Sequence, residues 1–179
     1  MDNLLIIFLG SILIVAAITD LRLQKIPNIL TFPAMIMALG YHGVTNGLDG
    51  LIFSAGGLAL GLALLIFPYL MGSMGAGDVK LMAVVGGTLG ARGAFVAFLL
   101  ICVLGGIYAL IVLLIRRKDY GTSISRYAEM LKTLVATGHL IAIPAAKDEK
   151  KPKLCYGVAI ASGTLFSVFL ESSGYVFPI

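Results

Sequence analysis

Apolar residues occur along this chain in six runs, which are separated by four short polar connections and one long basic one. The runs are Leu4–Thr19, Ile29–Tyr41, Leu51–Met71, Val79–Leu89, Ala94–Ile115 and Leu154–Leu170. A helix rises ~1.5 Å per residue, so the third and fifth runs are long enough to cross a ~30 Å hydrocarbon core. The second and fourth runs are shorter and must extend into flanking residues or be shielded by neighbouring helices. The pattern predicts an all-α, polytopic membrane protein with about six transmembrane helices.

Composition favours lipid as the environment of this chain. Of its 179 residues, 59% are hydrophobic and 12% are charged, which is about half the charged fraction of ordinary soluble domains. The mean hydropathy is +1.03, and a soluble chain of this length could not enclose so much apolar surface. We therefore expect a single, multi-pass membrane domain over residues 1–179. Gly57–Gly61 and Gly86–Gly90 have the small-xxx-small spacing that lets helices approach closely.

The basic residues indicate which ends of the helices face the cytoplasm. Nine of the thirteen lie in the segment 116–153, and Arg22, Lys25 and Lys80 lie in or beside the connections that follow the first and third runs. The other two connections and the C-terminal tail contain only Arg92. Because Lys and Arg concentrate on the cytoplasmic side of membrane proteins, we expect both termini to lie outside the cytoplasm.

The long basic loop at about 116–153 is predicted to contain an interfacial helix. Between residues 123 and 140, apolar side chains recur at helical spacing with charged residues between them. This loop would favour anionic lipid headgroups as partners, and because it is embedded between apolar runs we predict no nucleic-acid binding. Cys102 and Cys155 form no CxxC pair, so we predict no metal site, no disulfide framework and no cofactor.

Two of the nine acidic residues, Asp20 and Asp78, lie directly against apolar runs on the predicted cytoplasmic side. Carboxylates in such positions are costly unless they are paired or used chemically. Asp20 follows the first run near a helix C-terminus, where the macrodipole disfavours a negative charge, whereas Asp78 opens the fourth run, where the macrodipole favours one. If the fold brings the two together, these environments would separate their proton affinities, as the acid–base hydrolysis of a peptide bond requires.

Other interpretations of the two aspartates stay open at this point. Asp78 would serve equally as a helix N-cap, Asp20 as an interfacial polar residue, and the glycine-dense segment 72–77 as an ordinary turn. A small transporter or channel that uses Asp20 and Asp78 as an ion or proton relay is a second functional class, although relay carboxylates tend to lie near the bilayer midplane. A non-enzymatic assembly subunit held together by glycine-rich helices is a third.

Three motifs resemble those of a known protein family. The run Gly75-Ala76-Gly77-Asp78 closely resembles the GxGD signature of the type IV prepilin and preflagellin peptidases, a family of membrane aspartyl proteases. The run Asp20–Asn28, an aspartate followed by Ile-Pro-Asn, is similar to the family's other motif. Residues 153–159 are similar to the start of the family's last span, with Cys155 where proline is common.

The resemblance implies that Asp20 and Asp78 are the catalytic pair and that Gly75 and Gly77 shape the loop that holds Asp78. The implied reaction is removal of a short basic leader from prepilin- or preflagellin-like proteins at the cytoplasmic membrane face, usually after a glycine. Larger members of the family add a region with paired CxxC motifs and methylate the new N-terminus. This chain lacks those motifs, so it resembles the short, peptidase-only form that serves Tad/Flp-type pili, and we expect cleavage without N-methylation.

Four further residues of these motifs have a functional and a structural interpretation. Arg22 and Lys80 would contact substrate or tune the aspartates, or would act only as positive-inside anchors. Pro27 and Asn28 resemble a turn followed by a helix start, a structural role first and a functional one second. The sequence carries no signal for the oligomeric state, nor for which aspartate acts as the base.

Overall fold

The computed structural model describes residues 3–115 and 155–174, and these residues are almost entirely helical. The helices are α1 (Asn3–Leu23), α2 (Asn28–Leu70), α3 (Ala76–Ile115) and α4 (Tyr156–Ser172). The chain divides into two units, and the packing below is that of the first, whose described residues are 3–106 and 155–174. The described part of the second unit is the helical segment 107–115. The predicted basic loop and its interfacial helix at 116–153 lie outside the described residues.

α1 buries a single face and exposes apolar side chains on the other. Its buried residues recur every three or four positions, which places them on one side of the helix; they are Leu5, Leu9, Leu13, Ala16 and Asp20. On the opposite side, Ile7 is 72% exposed and Ile14 is 54% exposed. A helix that is apolar all round and leaves large apolar side chains uncovered suits a lipid environment. Asp20 is the single charged residue on the buried face.

α2 is a helical hairpin rather than a straight rod. At Gly47 the backbone leaves the helical region, with φ 59° and ψ −137°, a conformation that glycine adopts without a Cβ clash. Atoms of Ala38 and Ser54 both lie 3.6 Å from the position that a Cβ on Gly87 would occupy. In a straight helix Ala38 and Ser54 would be about 24 Å apart. The two arms of α2 therefore fold back on each other at Gly47.

α3 is interrupted in the same way at Gly90, where φ is 74° and ψ is 178°. Its first turn packs against the connection between α1 and α2, since a Cβ on Gly77 would lie 2.9 Å from the Cβ of Ile26. The start of α3 therefore lies at the end of the bundle where α1 ends.

α4 runs antiparallel to α1 and to the second arm of α3. Gly157, in its first turn, contacts Asp20 near the end of α1. Further along α4, Ala159 packs on Gly105, and Gly163 packs on the backbone of Ile101. Because Gly105 lies near the α4 start, the second arm of α3 returns to the end of the bundle where its first arm begins. α3 is thus a second helical hairpin.

The second arm of α2 and the first arm of α3 cross with their backbones in contact. A Cβ on Gly57 would collide with the carbonyl of Gly86, and a Cβ on Gly86 would collide with the carbonyl of Gly57. One turn along, a Cβ on Gly61 would collide with the carbonyl of Met82. The close helix approach predicted from the glycine spacing is confirmed at these positions.

Two buried polar side chains of the α2 hairpin bind the backbone of α3 just before its interruption. The hydroxyl of Ser54 donates a 2.7 Å hydrogen bond to the carbonyl of Gly87, and Nε2 of His42 lies 3.1 Å from the carbonyl of Thr88. Because a carbonyl can only accept, Nε2 of His42 is the donor. Carbonyls in the last turn before a helix break lack helical partners, and these two side chains supply them.

The prediction of an all-helical protein is confirmed, but the connections differ from those expected. Among the described residues, three helical segments are long and apolar enough to cross a membrane, namely Asn3–Leu23, Asn28–Leu70 and Ala76–Val112, and Tyr156–Ser172 is a shorter apolar helix. The connections expected at 42–50 and 90–93 are helical except at one residue each, because the chain reverses at Gly47 and at Gly90 alone. The number of membrane crossings and the side on which the termini lie stay predictions.

Candidate active site

Asp78 is held by the loop that precedes its own helix. It lies in the first turn of α3 and is only 7% exposed. Its Oδ2 accepts a 3.1 Å hydrogen bond from the backbone N–H of Gly75, the residue immediately before the helix. A carboxylate at the third helical position that reaches back to this amide forms one half of a capping box. The helix therefore begins at Ala76, three residues before the apolar run that starts at Val79, and Asp78 is not the N-cap.

Asp20 is held by the start of α4. It lies in the last turn of α1 and is also 7% exposed. Its Oδ2 accepts a 2.8 Å hydrogen bond from the backbone N–H of Gly157, the second residue of α4. The thiol of Cys155 also donates to the backbone carbonyl of Asp20, at 3.8 Å. The beginning of α4 is thus docked on the end of α1 through two groups of the same residue.

The two carboxylates share one end of the helical bundle, and their charges repel each other through space. The first turn of α4 is common to both. Gly157 binds Asp20, while the preceding Tyr156, which is half-buried, interacts electrostatically with Asp78. Two buried carboxyl groups that interact in this way cannot both ionise without a penalty, which favours a state in which the pair holds one proton.

The expectation that the two aspartates occupy opposite helix-end environments is wrong for Asp20. Asp20 does lie near the C-terminus of its own helix, but its carboxylate accepts from Gly157 at the N-terminus of α4. Asp78 likewise accepts from Gly75 at the N-terminus of α3. Both carboxylates therefore lie where a helix macrodipole favours negative charge. Any difference in their proton affinities must come from burial and neighbouring groups.

Three glycines at this end leave room for atoms that a side chain would displace. A Cβ on Gly157 would lie 3.0 Å from both the Cβ and Oδ2 of Asp20. A Cβ on Gly77 would lie 3.1 Å from the carbonyl oxygen of Ile26, and one on Gly75 would lie 3.2 Å from Oδ2 of Asp78. Each glycine therefore permits a closer approach than alanine would allow without a shift of its neighbour.

Lys80 connects the first turns of α2 and α3. Its Nζ donates a 2.8 Å hydrogen bond to Oδ1 of Asn28 and lies 4.8 Å from the centroid of the Phe32 ring. Asn28 is the first residue of α2, and Pro27 before it is extended, with φ −71° and ψ 140°. The predicted turn and helix start at Pro27 and Asn28 are therefore present. Arg22 is exposed in the last turn of α1, and no described contact joins it to either aspartate.

The chain is similar in sequence to a known protein family. A sequence model of the type IV leader peptidase family matches residues 7–110, more than half of the chain. This chain belongs to the type IV leader peptidase family. Over 101 residues it is 37% identical to the prepilin leader peptidase/N-methyltransferase of Bacillus subtilis (strain 168), an alignment that spans 55% of this chain but only 40% of that relative. No solved structure matched the chain.

The part matched to the type IV leader peptidase family contains both aspartates but not α4. Gly157 and Tyr156 lie beyond residue 110, and sequence reasoning assigned neither of them a role. The available signal was the similarity of residues 153–159 to the family's last span, which placed a glycine at the start of an apolar run. The contact of Phe32 with Lys80 was also missed, since an aromatic residue in an apolar run has many ordinary packing roles.

Gln24 is a second feature that the sequence did not reveal. It has φ 52° and is the single non-glycine residue with positive φ among those the structure describes. Its N–H donates a 2.9 Å hydrogen bond to the carbonyl of Asp20, which ends α1 in the manner of a left-handed C-cap. Glycine or asparagine usually occupies such a position, so a glutamine gives no sequence signal for it.

The reactive groups that the candidate site provides are the two carboxyl groups of Asp20 and Asp78. Acid–base hydrolysis of an amide needs a proton acceptor for water and a proton donor for the carbonyl and the leaving nitrogen. Two carboxyl groups that share a proton supply both functions. Within residues 3–115 and 155–174, no group of three or more His, Cys, Asp or Glu side chains is arranged to hold a metal ion.

Proposed function

We propose that this chain is a membrane aspartyl endopeptidase that removes the short basic leader from prepilin- or preflagellin-like proteins. The observation that carries the proposal is the pair of buried, interacting carboxylates, Asp20 and Asp78, at one end of a helical bundle. Membership of the type IV leader peptidase family supports the assignment of this pair as catalytic. The name of the Bacillus subtilis relative supports a prepilin as the substrate class.

In the proposed mechanism, the ionised carboxyl takes a proton from a water molecule as the water oxygen bonds to the scissile carbonyl carbon. The protonated carboxyl donates its hydrogen bond to the carbonyl oxygen and then its proton to the leaving nitrogen as the C–N bond breaks. The backbone N–H groups of Gly75 and Gly157 hold one oxygen of Asp78 and Asp20, respectively. Within residues 3–115 and 155–174, no hydrogen bond occupies the other oxygen of either carboxyl, and in the proposed mechanism it contacts water and substrate.

We propose that the bundle crosses the membrane about six times, with both termini outside and the site at the cytoplasmic face. α2 and α3 contain 43 and 40 residues, which correspond to about 65 and 60 Å of helix against a hydrocarbon core of ~30 Å. The reversals at Gly47 and Gly90 support two crossings for each of these helices. The distribution of basic residues supports the orientation, and the cytoplasmic membrane follows as the location.

We further propose that cleavage occurs without N-methylation of the new N-terminus. The support is that Cys102 and Cys155 are the cysteines of this sequence and form no CxxC pair. The ion- or proton-relay alternative has no comparable support, because both carboxylates lie in terminal turns of their helices and the family match is to peptidases.

The test is processing of a co-expressed prepilin by the wild type, Asp20→Asn and Asp78→Asn. Each single variant is expected to lower the cleavage rate by at least about 10³-fold, because one carboxyl cannot serve as both acid and base. Asp49→Asn is the matched control. Because Asp49 is exposed, this substitution is expected to leave processing unchanged. Processing that survives either Asp20→Asn or Asp78→Asn would overturn the assignment, and a methylated product from the purified protein would overturn the absence of methylation.

A further inference from the structure

The ammonium group of Lys80 is held in one place by two contacts. It donates to the side-chain amide of Asn28, a residue 52 positions earlier in the chain, and it lies over the ring of Phe32, one turn further along α2. Lysine side chains near a membrane surface ordinarily extend into water along their flexible stems. Here the side chain is half-buried and bridges two helix starts instead. These two contacts hold the start of α3, which carries Lys80, against the start of α2.

The contacts of Lys80 do not include an ion pair in the described part of the chain. Asp78 is two positions away on the same helix, a spacing at which side chains do not face each other, and its carboxylate binds Gly75. Any effect of Lys80 on the aspartates must therefore act through the two segments that it joins, the start of α3 and the start of α2.

Those two segments each continue directly to one of the aspartates. Lys80 follows Asp78 by two residues on α3, while Asn28 begins α2 and is joined by the connection 24–27 to the end of α1, where Asp20 lies. The packing of Gly77 on Ile26 joins the same two segments. Lys80 thus adds a polar contact to an apolar one, and together these contacts fix the start of α3 against the chain that leaves α1.

We propose that Lys80 is a positioning residue, whose contact with Asn28 and Phe32 sets the separation of the Asp20 and Asp78 carboxylates without binding substrate. The proposal rests on the proposed peptidase function. Rates of reactions between positioned groups are sensitive to small displacements, and a shift of about 1 Å is enough to lower a rate by about 10²-fold. Loss of the contact should therefore slow the chemical step and leave substrate binding intact.

The experiment measures kcat and KM for cleavage of a purified prepilin by the full chain in detergent or liposomes. Lys80→Met and Asn28→Ala are each expected to lower kcat by about 10- to 100-fold and to change KM by less than about 3-fold. Lys80→Arg keeps a cationic donor that can reach the amide and stack on the ring, so it is expected to restore kcat to within about 5-fold of wild type. Lys25→Met is the matched control, because it removes one exposed positive charge in the 24–27 connection.

A double variant distinguishes a shared contact between Lys80 and Asn28 from independent effects of the two residues. Lys80→Met combined with Asn28→Ala is expected to lower kcat no further than Lys80→Met alone, because Lys80→Met already removes the contact with Asn28. Losses that multiply in the double variant would overturn the proposal. So would a raised KM with unchanged kcat in Lys80→Met, which would assign the side chain to substrate binding, or an equal loss in Lys25→Met, which would reduce the effect to net charge.

Folding and the proposed function are monitored in the same series. The level of each variant in the membrane and its unfolding temperature report folding, and Asn28→Ala tests the contact should Lys80→Met fail to accumulate. A wild type that does not cleave, or an active Asp78→Asn, would overturn the peptidase function and this role with it. An active wild type matched by Lys80→Met and Asn28→Ala would overturn only the role of Lys80.

Discussion

The carboxylate end of the bundle and the crossing of its two hairpins both bury polar side chains against backbone, but with opposite polarity. At the carboxylate end, Asp20 and Asp78 accept from N–H groups at helix starts. Near the interruption at Gly90, Ser54 and His42 donate to carbonyls where a helical arm ends. Helix starts have unpaired donors and helix ends have unpaired acceptors. Each buried side chain therefore has the chemical character that its nearest helix end lacks.

Glycine also serves the two regions differently. At the crossing, Gly57 and Gly86 make room for each other's backbone, which cannot move without moving a whole helix. At the carboxylate end, a Cβ on Gly157 would lie 3.0 Å from the Cβ and Oδ2 of Asp20, so a shift of a few tenths of an ångström would accommodate it. We therefore expect added methyl groups to unfold the protein at the crossing and to inactivate it at the carboxylate end.

The largest effect is expected at the crossing. Gly57→Ala and Gly86→Ala each place a methyl group inside a facing backbone, and each should lower the free energy of unfolding by about 3 kcal/mol. Gly56→Ala is the control, because a Cβ at Gly56 would meet nothing within 4 Å, and its effect should be within about 0.5 kcal/mol. Thermal or SDS-induced unfolding in detergent measures the difference. Equal stability of the three variants would show that the backbones are not in contact.

The next effect concerns activity rather than stability. Gly157→Ala should displace the Asp20 carboxylate and lower kcat/KM about 10²-fold, which corresponds to about 2.7 kcal/mol, while the free energy of unfolding changes by less than about 1 kcal/mol. Gly40→Ala, at a helical position with open space around it, should leave activity unchanged. A fully active Gly157→Ala enzyme would mean that the docking of α4 does not hold Asp20 for catalysis.

The buried donors at the crossing should matter to stability alone. Ser54→Ala leaves the carbonyl of Gly87 without its donor and should lower the free energy of unfolding by about 2 kcal/mol with little change in kcat. Thr45→Ala removes a hydroxyl that binds the backbone of its own helix at an exposed position, so its effect should be within about 0.5 kcal/mol. The comparison between the two regions would fail if Ser54→Ala reduced cleavage as strongly as it reduced stability.

The smallest effect is expected at Gln24, whose positive φ is strained for any residue with a side chain. Gln24→Gly should raise the free energy of unfolding by about 0.5 kcal/mol, since glycine relieves the strain but gains more freedom in the unfolded chain. Lys25→Gly, beside it, should be neutral or slightly destabilising. Unfolding measurements on both variants decide the point, and a destabilised Gln24→Gly would indicate that the glutamine side chain makes a contribution of its own.

The sequence by itself determined the helical class and the apolar character, and it singled out the two aspartates that the fold places at one end of the bundle. These are local properties: run length and apolar content do not depend on which helices meet, and the motifs around Asp20 and Asp78 are contiguous in the chain. The predicted helix start after Asp78 was three residues late, because the capping contact to Gly75 lies in a loop whose conformation the glycine-rich pattern does not specify.

The tertiary structure decided what each aspartate binds and where the chain reverses. The partner of Asp20 is an amide 137 residues away, and its presence reversed the expectation drawn from the end of α1. The single-residue reversals at Gly47 and Gly90, and the contact of Lys80 with Asn28, likewise depend on which surfaces come together. A local pattern specifies that a helix end has unpaired groups, but only packing determines which distant group satisfies them.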